Sequence, residues 1–214
     1  MTRHILLLCL LGNPFELNLG GHQRTVLEII EHFKDMPRLE ITVITTTKSS
    51  LKQLTPNHLY SNIVLYEIPI KKEWFENQDL LYDNRNFLYE TVKKIYENIK
   101  HPITLVHSTY WISGLLASQL CIEYHLTQIH SVISTSCERK RNGFSPVSSH
   151  QYESEQFFLP KVDRIISITE SEYELLIEKY HIEPHKIIVV GRTVADCFLR
   201  PAHLPSGNLE RSEE

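Results

Sequence analysis

The sequence predicts an α/β fold built on a doubly wound, mainly parallel sheet. Short apolar runs, several of them rich in β-branched residues, alternate along the chain with segments whose apolar positions recur at helical spacing. Such alternation is typical of parallel strands joined by helices that cover both faces of the sheet. At 214 residues and 42% hydrophobic content, the chain is long enough to bury a substantial core.

The first element follows a charged start and is a continuous apolar run, residues 5–11. This pattern also fits the start of a secretion signal, but no small-residue cleavage site follows, because the next residues are Gly12-Asn13-Pro14. A buried parallel strand is equally continuous in its hydrophobicity. We expect the strand.

The remaining elements follow in alternation. Strands are predicted at residues 40–46, 62–67, 103–107, 128–133, 163–168 and 186–190. Helices are predicted to begin after Gly21 and to cover residues 79–100, 112–124, 151–159 and 170–180. Polar loops are expected at residues 48–61 and 134–149. Residues 199–214 contain two prolines and no periodicity, so we expect one domain at residues 1–198 and a disordered tail.

Composition excludes several classes of protein. A net charge of −4 gives no global basic field for nucleic acid or an anionic membrane, and no segment approaches the ~20 apolar residues of a membrane span. The cysteines are far apart and form no metal-like cluster with histidine. We therefore expect a cytoplasmic, reducing location, no metal and no cofactor.

The loop after the first strand carries Gly20-Gly21-His22 directly before a helix. Paired glycines let a ligand approach bare backbone at the positive end of the helix, which suits a phosphate, a carboxylate or a sugar hydroxyl. A simple tight turn explains the glycines equally well.

Two further segments follow strands whose carboxyl ends should lie at the same edge of the sheet. His107 to Gly114 is dense in imidazole, hydroxyl and aromatic groups, of which Tyr110 and Trp111 could offer flat faces to a sugar ring. His107 itself could be a packed core residue or a ligand contact. The charged run Glu138 to Arg141 is either a solvated surface or a clamp for an anion.

The ordered set of these motifs resembles the amino-terminal domain of family 4 retaining glycosyltransferases of the GT-B fold, over residues 3–198. The set comprises the glycine pair, His-Ser-Thr-Tyr-Trp-Ile-Ser-Gly, a lysine after the fifth strand, and the Asp-Arg-Ile-Ile-Ser-Ile-Thr strand. The tryptophan segment is most similar to the D-inositol-3-phosphate and sucrose-phosphate-synthase branches. The resemblance implies a Rossmann-like lobe on the acceptor side of the enzyme.

Site residues follow from the resemblance. It implies that Gly20 and Gly21 line the cleft near the donor diphosphate and the acceptor, and that His107 lies over the transferred sugar as a positioning and electrostatic residue. Lys140 matches a lysine that meets an acceptor phosphate. The resemblance also implies that Glu155 is structural. With their neighbours, these positions give the candidate substrate-binding residues Gly20, Gly21, His22, Thr109, Tyr110, Trp111, Ser134 and Lys140, and the candidate catalytic residue His107.

Departures from the family pattern put the acceptor in question. Thr109 and Ser134 stand where the family commonly has histidines. The donor-binding domain of the family, with its Glu-x7-Glu motif, is not found in these residues. We therefore expect the acceptor-binding half of a nucleotide-sugar-dependent transferase, inactive alone and completed by a second domain or companion chain. The alternatives are a non-catalytic sugar-phosphate-binding or scaffolding module, a nucleotide-sugar epimerase and, least favoured, a dinucleotide-dependent oxidoreductase.

Overall fold

A computed structural model describes residues 2–16, 20–48, 54–144 and 147–191. Over these residues an eight-stranded sheet has the order β3-β4-β2-β1-β5-β6-β7-β8. Its strands are β1 (Arg3–Cys9), β2 (Leu39–Thr47), β3 (Asn57–Tyr60), β4 (Ile63–Pro69), β5 (Leu105–Thr109), β6 (Gln128–Ser131), β7 (Arg164–Ser167) and β8 (Ile187–Val189). All the pairings are parallel except that of β3 with β4.

Eight α-helices accompany the sheet in the described part of the chain. They are α1 (Gly21–Phe33), α2 (Lys72–Glu76), α3 (Gln78–Asp83), α4 (Arg85–Glu97), α5 (Trp111–Tyr124), α6 (Ser136–Arg141), α7 (Gln151–Phe158) and α8 (Glu170–Tyr180). Two short 3₁₀ segments, Leu159–Lys161 and Pro184–Lys186, precede β7 and β8.

The core lies on both faces of the sheet. Val26 and Ile30 of α1 pack on the face formed by alternate residues of β1, β2 and β4, such as Leu7. On the opposite face, α4, α5, α7 and α8 pack around Leu6 and Leu8. The chain moves one way along the sheet after β1 and the other way after β5, and right-handed crossovers then place the helices on opposite faces. The predicted doubly wound α/β fold is confirmed.

Helix α5 is the most deeply buried helix and packs tightly against α7. A Cβ at Gly114 would lie 2.4 Å from Phe158 Cε2 and 2.7 Å from His130 Cε1, so only glycine permits this approach. Because α5 leads directly out of β5, this contact fixes the position of the segment around Tyr110.

Three local predictions were wrong. The predicted helix 79–100 is broken at Asn84, whose backbone (φ −98°, ψ 15°) leaves the helical conformation and whose side-chain amide and N–H both donate to the Leu80 carbonyl (2.8 and 3.2 Å). The region predicted as a polar loop before residue 62 contains the antiparallel strand β3, and the loop predicted at 134–149 contains α6. The predicted tail at residues 199–214 lies outside the described residues.

Candidate functional site

The loop between β1 and α1 is fixed to the neighbouring strand β2. Thr45 donates its hydroxyl to the Gly12 carbonyl (2.9 Å), and Thr46 donates to the Leu10 carbonyl (3.0 Å) while accepting from the Gly12 N–H (3.2 Å). Gly12 has φ +104°, in the left-handed region that favours glycine. The start of α1 therefore follows a firmly held turn at the carboxyl edge of the sheet.

The two predicted glycines occupy the start of that helix. Gly20 is the N-cap residue and provides no side-chain cap, and Gly21 is the first helical residue. Both are exposed. The space beside the Gly21 Cα is open, with no atom within 4 Å of an added Cβ. This arrangement leaves free amide donors at the positive end of a 13-residue helix.

His22 is brought against the end of β5. Its Nε2 lies 3.0 Å from Thr109 Oγ1, and its ring centre lies 5.6 Å from that of Tyr110. Nδ1 of His22 is buried and has no hydrogen-bond partner among the residues that the structure describes. Thr109, where the family resemblance expects histidine, is thus adjacent to an imidazole supplied by α1.

His107 lies inside β5, two residues before the strand ends. Its Nε2 is 2.8 Å from Ser131 Oγ, and its side chain lies on the same face of the sheet as those of Leu7 and Thr109. On the opposite face, Ser108 contacts His130 Nδ1 at 2.9 Å. The strand therefore carries an imidazole–hydroxyl pair on each face near its carboxyl end.

These imidazoles are neutral at physiological pH. Burial lowers the pKa of His22 and His107 to about 4 and that of His130 to about 3. Neutral imidazoles can donate one hydrogen bond and accept one, but they supply no positive charge to a phosphate.

Tyr110 and Trp111 connect the site to α3. The Tyr110 hydroxyl and the Trp111 indole N–H both donate to Gln78 Oε1, at 3.1 and 3.2 Å. Tyr110 is 5% exposed and Trp111 is 2% exposed, so their faces are covered in this structure. Tyr110 has φ +68° and ψ 155°, a strained backbone conformation for a residue other than glycine.

Helix α6 carries Lys140 and is anchored by a buried carboxyl group. Glu155 accepts from the Ser136 N–H (3.0 and 3.2 Å), from Gln151 Nε2 (2.7 Å) and from the Tyr180 hydroxyl (2.5 Å). Burial raises the pKa of Glu155 to about 7 although these donors oppose the shift.

Other contacts complete the rim after β6. Thr135 caps α6 by accepting from the Glu138 N–H (3.1 Å). Lys140 is exposed, and its ammonium lies 5.5 Å from the centre of the Tyr152 ring. Ser134 accepts from Gln151 Nε2 through its carbonyl group at 3.1 Å.

The candidate residues therefore follow three neighbouring strands. Gly20, Gly21 and His22 follow β1, the His107–Trp111 segment ends β5, and Ser134 and Lys140 follow β6. Adjacent strands are ~4.8 Å apart, so the three segments share one edge of the sheet. Only His22, Thr109 and Tyr110 contact one another directly among the contacts described above.

Three polar residues near the site were not predicted from the sequence. Gln78 holds the two aromatic side chains, His130 lies behind β5, and Glu67 of β4 accepts from Asn13 Nδ2 at 2.6 Å in the β1–α1 loop. Glu67 interrupts an otherwise apolar strand, which is the one sequence signal that could have identified it.

Comparison with known proteins identifies the family of the chain. The model of the family described as Glycosyltransferase Family 4 matches residues 19–195, most of the chain. The chain belongs to glycosyltransferase family 4. A stretch of 101 residues is 28% identical to the D-inositol 3-phosphate glycosyltransferase of Kineococcus radiotolerans. The match covers 46% of this chain and 23% of that protein.

Solved structures of glycosyltransferases share the fold. Sucrose-phosphate synthase from Thermosynechococcus elongatus superposes with a TM-score of 0.70 and 15% identity, over 90% of this chain and 48% of the synthase. UGT89C1 of Arabidopsis thaliana, solved as a complex with UDP, gives a TM-score of 0.59 and 11% identity over 90% of this chain and 50% of that chain. The chain thus spans about half the length of these structures, and its matching stretch spans about a quarter of the inositol-phosphate enzyme. The expected GT-B, family 4 amino-terminal lobe is confirmed.

The described part of the chain contains no helix long and apolar enough to cross a membrane. No group of three or more histidine, cysteine, aspartate or glutamate side chains in the described ranges has the arrangement of a metal site.

Proposed function

We propose that this lobe binds the acceptor of a retaining glycosyltransferase that transfers a sugar from a nucleotide-sugar donor to a hydroxyl group. The observation that carries the proposal is the shared edge of β1, β5 and β6 in a chain of family 4. There the start of α1 without a side-chain cap follows β1, the imidazole of His107 lies near the end of β5, and Lys140 follows β6. Four of the similar solved structures, two of them of UGT89C1, are complexes with UDP or a UDP-sugar, which supports a nucleotide-sugar donor for the complete enzyme.

In this proposal each group has a role suited to its environment. The exposed N–H groups at Gly20 and Gly21 attract a phosphate, because anions are stabilised at the positive end of a helix. Lys140 provides the positive charge for an acceptor phosphate, and a charge-assisted contact of this kind contributes about 1–3 kcal/mol. Burial lowers the pKa of His107 to about 4, so its neutral imidazole is a weak base, and its role here is to position a sugar hydroxyl.

The lobe alone is proposed to be inactive. Transfer requires donor and acceptor to be held together in a water-excluding cleft, and this positioning accounts for much of the rate of such enzymes. A second domain or companion chain would supply the donor-binding side. Incubation of the purified 214-residue chain with UDP- or GDP-sugars and candidate acceptors should give no product, and robust turnover would refute this part of the proposal.

Acceptor binding is tested by calorimetric titration of inositol phosphate and fructose 6-phosphate into the chain. Lys140→Ala should weaken binding of whichever of these phosphates the chain binds, about tenfold or more. Lys179 is an exposed lysine of α8, and Lys179→Ala should leave the binding unchanged. His107→Asn, which retains a polar group facing Ser131, should weaken binding while the protein stays folded. Equal binding by all variants would contradict the proposed site.

A non-catalytic sugar-phosphate-binding or partner-scaffolding module is the second candidate. It is favoured by Thr109 and Ser134 at positions where the family commonly has histidine. Co-expression with a neighbouring reading frame that encodes the Glu-x7-Glu motif separates the two. Product formation in the mixture supports the transferase, and ligand binding without any product supports the module.

A further inference from the structure

A separate cavity lies at the amino edge of the sheet, opposite the candidate sugar site. Its volume is about 430 Å³, within the range of small-molecule sites. The first residues of β1 and β2 line it together with the carboxyl end of α4. None of the residues discussed above for the transferase contributes to it.

The polar centre of this cavity is the carboxylate of Glu40. Its Oε2 lies 2.7 Å from His101 Nδ1 and 3.8 Å from His4 Nδ1. His4 is 7% exposed, and its Nε2 contacts Thr42 Oγ1 at 2.9 Å; its Nδ1 has no hydrogen-bond partner among the described residues. The short contact of the carboxylate is with His101, a side chain that is 68% exposed and easily displaced, and His4 lies at the longer distance.

This end of the cavity offers no amide donor from Asn62 and carries partial negative charge from a helix end. Asn62 donates both amide hydrogens to the carbonyl groups of Phe33 and Leu39 (3.0 Å each), so they are not available to an anion. The last turn of α4 ends at the cavity with Asn98, and a helix carries partial negative charge at this end.

The walls are apolar and partly aromatic. Val64, Tyr66 and Ile99 line the cavity, and most of its surface is carbon. Among the described residues, the remaining titratable side chains that face it are His58 and Lys100, both exposed at its rim. A carboxylate near the negative end of a helix, with an apolar wall beside it, suits a cation on an aliphatic stem.

We propose that this cavity binds a small organic ammonium compound. Its ammonium group replaces His101 at the Glu40 carboxylate, and its alkyl part packs on Ile99, Val64 and Tyr66. An anion would meet the like charge of the Glu40 carboxylate, which is unfavourable to it. Binding here is independent of the proposed transferase function, because the cavity lies at the other edge of the sheet.

The test is titration of the ¹⁵N-labelled 214-residue chain with pentylamine, followed by NMR. The expected result is saturable shifts of the amides of residues 40–42 and 98–101, and no such response to pentan-1-ol or pentanoate at equal concentration. Non-saturating shifts, or equal binding of the alcohol or the acid, would overturn the proposal.

Two variants should change pentylamine binding in opposite directions, and a third serves as a control. Glu40→Gln removes the charge and should weaken pentylamine binding roughly tenfold. His101→Ala frees the carboxylate from its present partner and should tighten binding by a factor of about two to five. Glu73→Gln, at an exposed position of α2, should have no effect. If Glu40→Gln binds as tightly as the unmodified chain, or His101→Ala binds more weakly, the site is not the one proposed.

Discussion

The buried carboxyl group of Glu155 makes the stability of the fold depend on pH in a direction opposite to that of most acidic residues. Its pKa is about 7 in the folded chain, against 4.5 for an ordinary glutamate. The folded state therefore binds this proton more tightly than the unfolded state does. The resulting stabilisation is fully present below pH 4.5 and is lost as the pH rises through 7. A difference of this size corresponds to roughly 3 kcal/mol.

Glu155→Gln should remove this dependence while keeping an oxygen that accepts from the Ser136 N–H. The free energy of unfolding, measured by urea denaturation from pH 4.5 to 8, should fall more steeply for the unmodified chain than for the variant. The free energy of unfolding of the unmodified chain minus that of the variant should decrease by about 3 kcal/mol as the pH rises over that range. Burial also raises the pKa of Glu172, but this group is common to both proteins and cancels in the comparison.

Glu153→Gln serves as the matched control, because Glu153 is exposed on the same helix, and its profile should run parallel to that of the unmodified chain. Parallel profiles for Glu155→Gln as well, or a difference that grows with pH, would refute the assignment of a protonated Glu155 to the anchor of α6.

Three further outcomes are expected. Gly114→Ala should lower the free energy of unfolding by about 1–3 kcal/mol or prevent folding, because the new methyl group overlaps the Phe158 ring of α7. Chemical denaturation measures the loss of stability. Gly21→Ala meets no atom and should leave stability unchanged or raised by up to ~1 kcal/mol, yet weaken sugar-phosphate binding in calorimetry if the ligand approaches the helix backbone. Three buried imidazoles have pKa values below the ordinary 6.5 in the folded chain: those of His22, His107 and His130. Their contribution to stability is therefore present above pH 6.5 and is lost as the pH falls toward 4. In His130→Gln, the free energy of unfolding should fall less steeply between pH 6.5 and 4 than in the unmodified chain.

The sequence predicts the sheet well because each long parallel strand is rich in apolar and β-branched residues. It does not predict β3, whose sequence Asn-His-Leu-Tyr is short and polar and whose antiparallel pairing depends on β4. Helix α6 is missed for a similar reason. Its six residues have no apolar stripe, and its first turn depends on Glu155, which lies 19 residues later in the chain.

The site is predicted only at the level of segments. The glycine pair, the end of β5 and the lysine are visible as unusual residues after apolar runs, and parallel strands bring such positions to one edge. The contact between His22 and Thr109 joins residues 87 positions apart, and no local pattern specifies it. The covering of Trp111 by α3 likewise depends on how the broken helix after β4 folds back.

The neutral charge of the buried imidazoles limits which ligand groups each part of the carboxyl edge of the sheet can recognise. Neutral histidines around β5 suit hydroxyl groups, which donate and accept, whereas charge for a phosphate is available from Lys140 and from the start of α1. An acceptor that carries both hydroxyls and a phosphate would use both kinds of group at once. A purely uncharged acceptor would leave Lys140 without a role. The ratio of affinities for a sugar phosphate and for the same sugar without its phosphate should therefore fall toward one in Lys140→Ala, and a ratio unaffected by that substitution would place phosphate recognition elsewhere.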